Sequence, residues 1–105
     1  KDFIVEEILK TNTNKIGIYR LIMKSGSDNF RSSAIIGIMS RLQERGKEII
    51  IYEPLAKDST FDGYMVIDNL QDFKKESELI LANRASDELS DVANKVFTRD
   101  IYGNN

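Results

Sequence analysis

An α/β domain with a mainly parallel sheet of about five strands is what this sequence predicts, on three observations. Short runs rich in branched apolar residues recur at 16–21, 47–53, 65–67, 78–82 and 96–98. Stretches with helical spacing of apolar residues lie between them, the best of them over 33–45. The runs show little strict alternation, as in Ile49-Ile-Ile51 and Leu79-Ile-Leu81, which is the pattern of strands covered on both faces. Strands alternating with helices imply parallel βαβ units with right-handed crossovers, and so helices on both sides of the sheet.

Taken in order, residues 2–10 place Ile4, Val5, Ile8 and Leu9 on one helical face and Asp2, Glu6, Glu7 and Lys10 elsewhere. Thr11-Asn-Thr-Asn14 closes that helix as a polar loop. The first strand runs from Ile16 to about Leu21, and a polar stretch holding Lys24, Ser25, Gly26, Ser27, Asp28, Asn29 and Arg31 follows. Ser32 or Ser33 is the expected cap of the next helix. In that helix Ile35, Ile36, Ile38, Met39 and Leu42 form an apolar stripe, with Arg41, Gln43, Glu44 and Arg45 facing water. Gly46 stops it in a left-handed conformation. The second strand is rich in β-branched residues and ends at Pro54.

Residues 55–64 read as a loop and Met65–Ile67 as a short strand. Leu70–Lys75 reads as a short helix with Leu70 and Phe73 inward and Asp68 or Asn69 as its cap. After the buried strand 78–82 and the loop 83–86, Ser86 caps a helix with Leu89, Val92 and Ala93 on one face. Val96–Thr98 is the last strand. The sum is a Rossmann-like three-layer domain. Ligands of such sheets sit outside the carboxyl ends of the strands, at the point where strand order reverses. The loops 22–32, 83–86 and 98–100 are expected to gather there, with 54–64 on the same edge.

Composition narrows the function. At 105 residues the chain is one domain, able to bury roughly two-thirds of its unfolded surface. A net charge of −2, with no basic run longer than Lys74-Lys75, gives no electrostatic case for nucleic acid. No apolar segment approaches the roughly 20 residues of a membrane span, and Lys1-Asp2-Phe3 lacks the pattern of a leader. Without cysteine there is no disulfide framework and no thiolate nucleophile; without histidine the commonest general base and metal ligand are missing. A self-contained hydrolase or metalloenzyme is not expected, and no metal site is. The chain starts without methionine, inside a helical pattern, which points to an excised domain.

The chemistry that remains is anion binding. A strand, a polar glycine-bearing turn and a helix start, in that order, form the usual phosphate site of α/β folds. Lys24 and Arg31 bracket the turn, the one a compact point charge and the other a planar fork suited to phosphate. On residue types alone, two surface cations paired with nearby acids explain them as well. The turn is neither GxGxxG nor a P-loop. Glu53 stands where dinucleotide folds carry a ribose-binding acid, without the glycine fingerprint that goes with it. Tyr19 and Arg20 read as structural, Asn83 and Arg84 stay unassigned, and the acids at 87, 88 and 91 read as solvated helix surface.

Tyr19-Arg-Leu-Ile-Met-Lys-Ser-Gly-Ser-Asp-Asn-Phe-Arg31 resembles the opening of the C-terminal, UDP-binding domain of the UDP-glucose/GDP-mannose dehydrogenase family, in particular its UDP-glucose 6-dehydrogenases. The likeness continues through Ile51–Pro54, Ala82–Leu89 and Val96–Gly103. It implies that Lys24 contacts the UDP-sugar near the reacting centre and that Arg31 reaches toward NAD, which is bound mainly by an N-terminal domain outside this segment. It matches Arg99 to an arginine that contacts the UDP-sugar. It implies no catalytic residue in this segment, since the family's thioester-forming cysteine lies elsewhere. Residues 1–14 would be a lead-in helix and loop from a central domain, and 15–105 the UDP-sugar-binding domain. The parent would be a cytoplasmic homodimer converting UDP-glucose to UDP-glucuronate, with no nucleic-acid or membrane partner, and this segment alone would be inactive. The same domain of a UDP-N-acetylhexosamine dehydrogenase and a non-catalytic α/β interaction module are the alternatives.

Overall fold

The computed structural model describes residues 2–20, 29–54, 59–61, 63–82 and 86–98, with the backbone alone at 2 and 29–34. Its elements are α1 (Asp2–Leu9), β1 (Lys15–Tyr19), α2 (Asn29–Glu44), β2 (Glu48–Tyr52), β3 (Thr60–Phe61), β4 (Tyr64–Ile67), α3 (Leu70–Glu76), β5 (Leu79–Ala82), a 3₁₀ helix (Asp87–Lys95) and β6 (Val96–Thr98). They build a six-stranded sheet of order β3-β4-β2-β1-β5-β6. All its pairings are parallel except that of β3 with β4. The α/β class expected from the sequence is therefore the observed one, with one strand more than the five read from the sequence.

Each central strand feeds two cores by its period-two alternation. Ile16 and Ile18 of β1, Ile49 and Ile51 of β2, and Leu79 and Leu81 of β5 meet Ile4, Val5 and Ile8 of α1 and Ile35, Ile38, Met39 and Leu42 of α2. The opposite face carries Tyr19, Ile50, Tyr52, Ile80 and Ala82 against Phe73 of α3 and Leu89 of the 3₁₀ helix. Helix α1 is thus part of the domain core, with Ile8 fully buried. The α2 residues 35, 38, 39 and 42 are the i, i+3, i+4, i+7 set of a core-facing helix.

Local chemistry ends the helices where the sequence indicates. Gly46 (φ 88°) sends its N–H to Gln43 O, and Lys47 N–H reaches Leu42 O, a Schellman close. Asn69 Oδ1 accepts from Asp72 N–H at 2.9 Å, the cap of α3. Two expectations need correction. Helix α2 begins at Asn29, ahead of Ser32 and Ser33, because Asn29-Phe-Arg-Ser32 has no proline or glycine to stop the helix taking a further turn. Residues 59–61, expected within a loop, enter the sheet as β3, folded back on β4 across a bend that contains Gly63 at φ 86°.

The segment after Ser86 differs most. It is a 3₁₀ helix with a kink at Val92, and Ala93 is exposed. With three residues per turn, its inward face is Ser86, Leu89, Val92 and Lys95, a different set from the α-helical one. Lys95 Nζ donates to Lys74 O and Ser77 O, holding the segment's end on the carboxyl end of α3. Lys74, with its stem buried, donates from Nζ to Asp91 Oδ1 at 2.8 Å. Asp91 is therefore paired and not merely solvated.

Helix α3 lies so close to β1 that only glycine fits at residue 17. A Cβ there would stand 2.2 Å from Ser77 Oγ and 2.7 Å from the Phe73 ring. Gly17→Ala is expected to cost about 1–3 kcal/mol through overpacking, read as a lower urea midpoint. The hydrogen bond from Lys74 holds Asp91 below its ordinary value of 3.8, and the bond from Lys15 does the same for Glu76, ordinarily 4.5. A depressed carboxylate contributes stability that is present above its unfolded value and is lost as pH falls through the folded one. Asp91→Asn should lower the urea midpoint at neutral pH and make its decline below about pH 4 shallower than in the wild type.

Candidate functional site

The two ends of the sheet differ in character. At the amino end the polar groups are tied to one another. Asn14 N–H donates to Glu78 Oε1 at 2.6 Å, Glu48 N–H to Asn14 O at 2.8 Å, and Lys15 Nζ to Glu76 at 2.8 Å. At the carboxyl end the parallel strands β4, β2, β1, β5 and β6 finish side by side, at Ile67, Tyr52, Tyr19, Ala82 and Thr98. From β1 the chain builds β2, β4 and β3 on one side, and after α3 it continues as β5 and β6 on the other. The reversal of strand order falls between β1 and β5.

Six side chains and one backbone feature define this edge among the described residues. Tyr19 closes β1 with its ring stacked on that of Tyr52, at 5.7 Å and 11° between planes. Both rings also meet Phe73, which fixes them over the sheet. The Tyr19 hydroxyl donates to Glu88 Oε2, and its oxygen is 3.2 Å from Ser86 Oγ. Since the single phenolic proton is used on Glu88, the Ser86 hydroxyl donates to the Tyr19 oxygen. Ser86, at the cap position of the 3₁₀ helix, makes no side-chain cap bond. Arg20 continues β1 by one bond, its N–H to Tyr52 O at 2.9 Å, yet turns to φ 52°. Its Nη1 lies 3.6 Å from Glu88 Oε2.

Charge follows geometry. Burial first, then the bond to Glu88, pushes the Tyr19 phenol above its ordinary 10.0. The hydrogen bond with Tyr19 holds the Arg20 guanidinium above its usual range against a desolvation that lowers it, with Glu88 and Glu53 adding negative charge nearby. Glu53, just past β2, is buried. It is thus not presented to an incoming ribose as its place after the second strand suggested.

Of the residues singled out from the sequence, Lys24, Arg99, Asn83 and Arg84 lie outside the described residues. Arg31 falls in the first turn of α2, which starts ten residues after β1; its side chain is not described. The strands that precede these positions do end side by side at the switch point. What the sequence reading missed is the partnership of Tyr19 and Arg20 with Glu88, taken there as packed strand and solvated helix. The groups are 69 residues apart, and no local pattern announces such a pair. Among the described residues, no group of three or more acidic, histidine or cysteine side chains is placed to hold a metal ion, and no helix is long and apolar enough to cross a membrane.

A mostly parallel sheet with helices on both faces and a switch point at its carboxyl edge is the class of α/β domain that binds nucleotide-type ligands. Comparison with known proteins narrows this. Residues 17–103 match the UDP-glucose/GDP-mannose dehydrogenase family, UDP binding domain. The chain is 53% identical over 103 residues to a UDP-glucose 6-dehydrogenase of Streptococcus pneumoniae, covering 98% of this chain. It is 46% identical over 104 residues to a UDP-glucose 6-dehydrogenase of Campylobacter jejuni subsp. jejuni, covering 97% of this chain. The chain belongs to the UDP-glucose/GDP-mannose dehydrogenase family, as its UDP binding domain. It spans about a quarter of the length of these curated relatives (26% in each case).

Tyr19→Phe leaves Glu88 and Ser86 without their shared partner while keeping the stacked ring. It is expected to lower stability by about 1 kcal/mol, measured by urea unfolding.

Proposed function

We propose that this chain is the C-terminal UDP-sugar-binding domain of an NAD-dependent UDP-glucose 6-dehydrogenase that oxidises UDP-glucose to UDP-glucuronate. The single observation that carries this reading is the family match over residues 17–103, joined to relatives that are both named for UDP-glucose. That shared name favours the glucose enzyme over a UDP-N-acetylhexosamine dehydrogenase. In this reading Lys24 and Arg99 bind the UDP-sugar, and Arg31 contacts the cofactor. Residues 1–14 lead in from a central domain of the parent, which works as a homodimer in the cytoplasm, where its nucleotide-sugar substrate is made.

The residues of this segment do not fit NAD by themselves. The stretch after β1 holds one glycine, Gly26, where a dinucleotide site needs three, and the acid after β2 is buried beside Arg20. NAD accepts the hydride when it is bound, and its principal site belongs to another part of the parent. The contribution of this segment is binding and orientation. In this reading Lys24 holds the charged substrate as a point charge, which places the reacting carbon and stabilises negative charge near it. No base, nucleophile or metal for the chemical step is assigned within these 105 residues.

Amide-resolved NMR titration with UDP and UDP-glucose tests the reading. Shifts at residues 22–33, 83–86 and 98–100, weakened about tenfold or more in Lys24→Ala, are expected. A chain that shows no shifts with millimolar UDP would instead be a non-catalytic interaction module or require its neighbouring domains, and the same titration on the longer parent separates those two. The 105-residue chain is expected to reduce no NAD when given UDP-glucose; measurable reduction, followed by absorbance, would sink the assignment of catalysis to other segments.

A further inference from the structure

Resting on the reading above, we propose that Arg20 is a positioning residue of the nucleotide-sugar site, tying the exit of β1 to the segment that follows β5 across the switch point. The first observation is its backbone. At φ 52° Arg20 occupies the left-handed region, which is unfavourable for a non-glycine residue and which glycine enters freely. A bulky residue held in that conformation at the mouth of a ligand crevice points to a use for its side chain.

The second observation is what that side chain touches. Arg20 Nη1 lies 3.6 Å from Glu88 Oε2, the same carboxylate oxygen that accepts from the Tyr19 hydroxyl. Ser86 joins the same phenol. The residues that end β1 and those that open the 3₁₀ helix are therefore clasped across the point where the strand order reverses. The clasp stands four residues before Lys24 and two after Arg84.

The guanidinium is turned onto Glu88 of the 3₁₀ helix, with the buried Glu53 adding negative charge nearby. Its attractions are spent inside the protein, on fixing the two chain exits between which the ligand sits. The pairs are half exposed, and as stabilising interactions they are small. Their consequence lies in geometry, where a shift of about 1 Å at a binding group is enough to change affinity severely.

Arg20→Gly separates the side chain from the backbone, because glycine keeps the left-handed turn and removes the guanidinium. In UDP titrations of the 105-residue chain, Arg20→Gly is expected to bind UDP about tenfold more weakly while its urea midpoint stays at or above the wild-type value. Glu88→Gln should lose part of the same affinity, and the double variant should lose no more than Arg20→Gly alone. A purely structural role would lower the midpoint and leave affinity unchanged in the folded fraction. Wild-type affinity in Arg20→Gly, or independent, additive losses in the double variant, would overturn the proposal. If the wild-type chain shows no shifts with UDP, it is the functional reading that has failed for this segment, and spectra without ligand decide the clasp. Changes in Arg20→Gly that reach the amides of 86–89 uphold it, and changes confined to 19–21 refute it.

Discussion

Strand β1 is hydrogen-bonded along both edges, to β2 from Lys15 to Tyr19 and to β5 from Ile16 to Ile18. The other elements take their places from this strand. Its even residues Ile16 and Ile18 set the core shared with α1 and α2, and its odd residues Gly17 and Tyr19 face α3 and the 3₁₀ helix. The missing side chain at Gly17 lets α3 come down onto the sheet, with Phe73 against the two tyrosine rings. A helix seated that close draws the following segment with it, through Lys95 on the last carbonyls of α3 and Lys74 on Asp91. Glu88 and Ser86 are thereby brought to the end of β1 (an arrangement that begins with one absent Cβ in the middle of the strand).

The two ends of the sheet then serve different purposes. At the amino end, short bonds between Asn14, Lys15, Glu48, Glu76 and Glu78 join the connections and leave little polar capacity there. At the carboxyl end five parallel strands stop in a row, and the chain continues from them in polar sequence rich in cations, amides and hydroxyls. Parallel strands align their free backbone ends and helix starts on one edge, so a charged ligand is best placed there. The chain matches the UDP binding domain of the UDP-glucose/GDP-mannose dehydrogenase family over residues 17–103.

Much of this was legible in the residues themselves. Period and composition located β1, β2, β5 and β6, the stripe of α2, the Gly46 stop and the Asn69 cap, because each depends on neighbours within a few positions. The Tyr19-to-Arg31 stretch also carried the family likeness, which the comparisons bear out. The misreadings share a cause. Residues 59–61 have no strand pattern long enough to stand out, and they become β3 only because β4 offers an edge to pair with. Residues 87–95 look α-helical in isolation. Bonds from Lys95 to α3, from Ser86 to Tyr19 and from Tyr19 to Glu88 hold them against the sheet and α3 with three residues per turn.

The sequence by itself therefore determined the α/β class, the order of the elements, the buried faces of the strands and the family, since these follow from periodicity, turn chemistry and contiguous motifs. Only the tertiary structure decided that Arg20 turns left-handed at the end of β1 and that Glu88 meets both it and, from 69 residues away, Tyr19. It also decided that Gly17, inconspicuous in a strand, is the place where helix and sheet come closest. The physical reason is the range of the forces involved. Backbone propensity and hydrophobic period act between near neighbours in the chain, whereas a clasp of polar groups exists only after the strands have stacked and brought distant residues within hydrogen-bond reach.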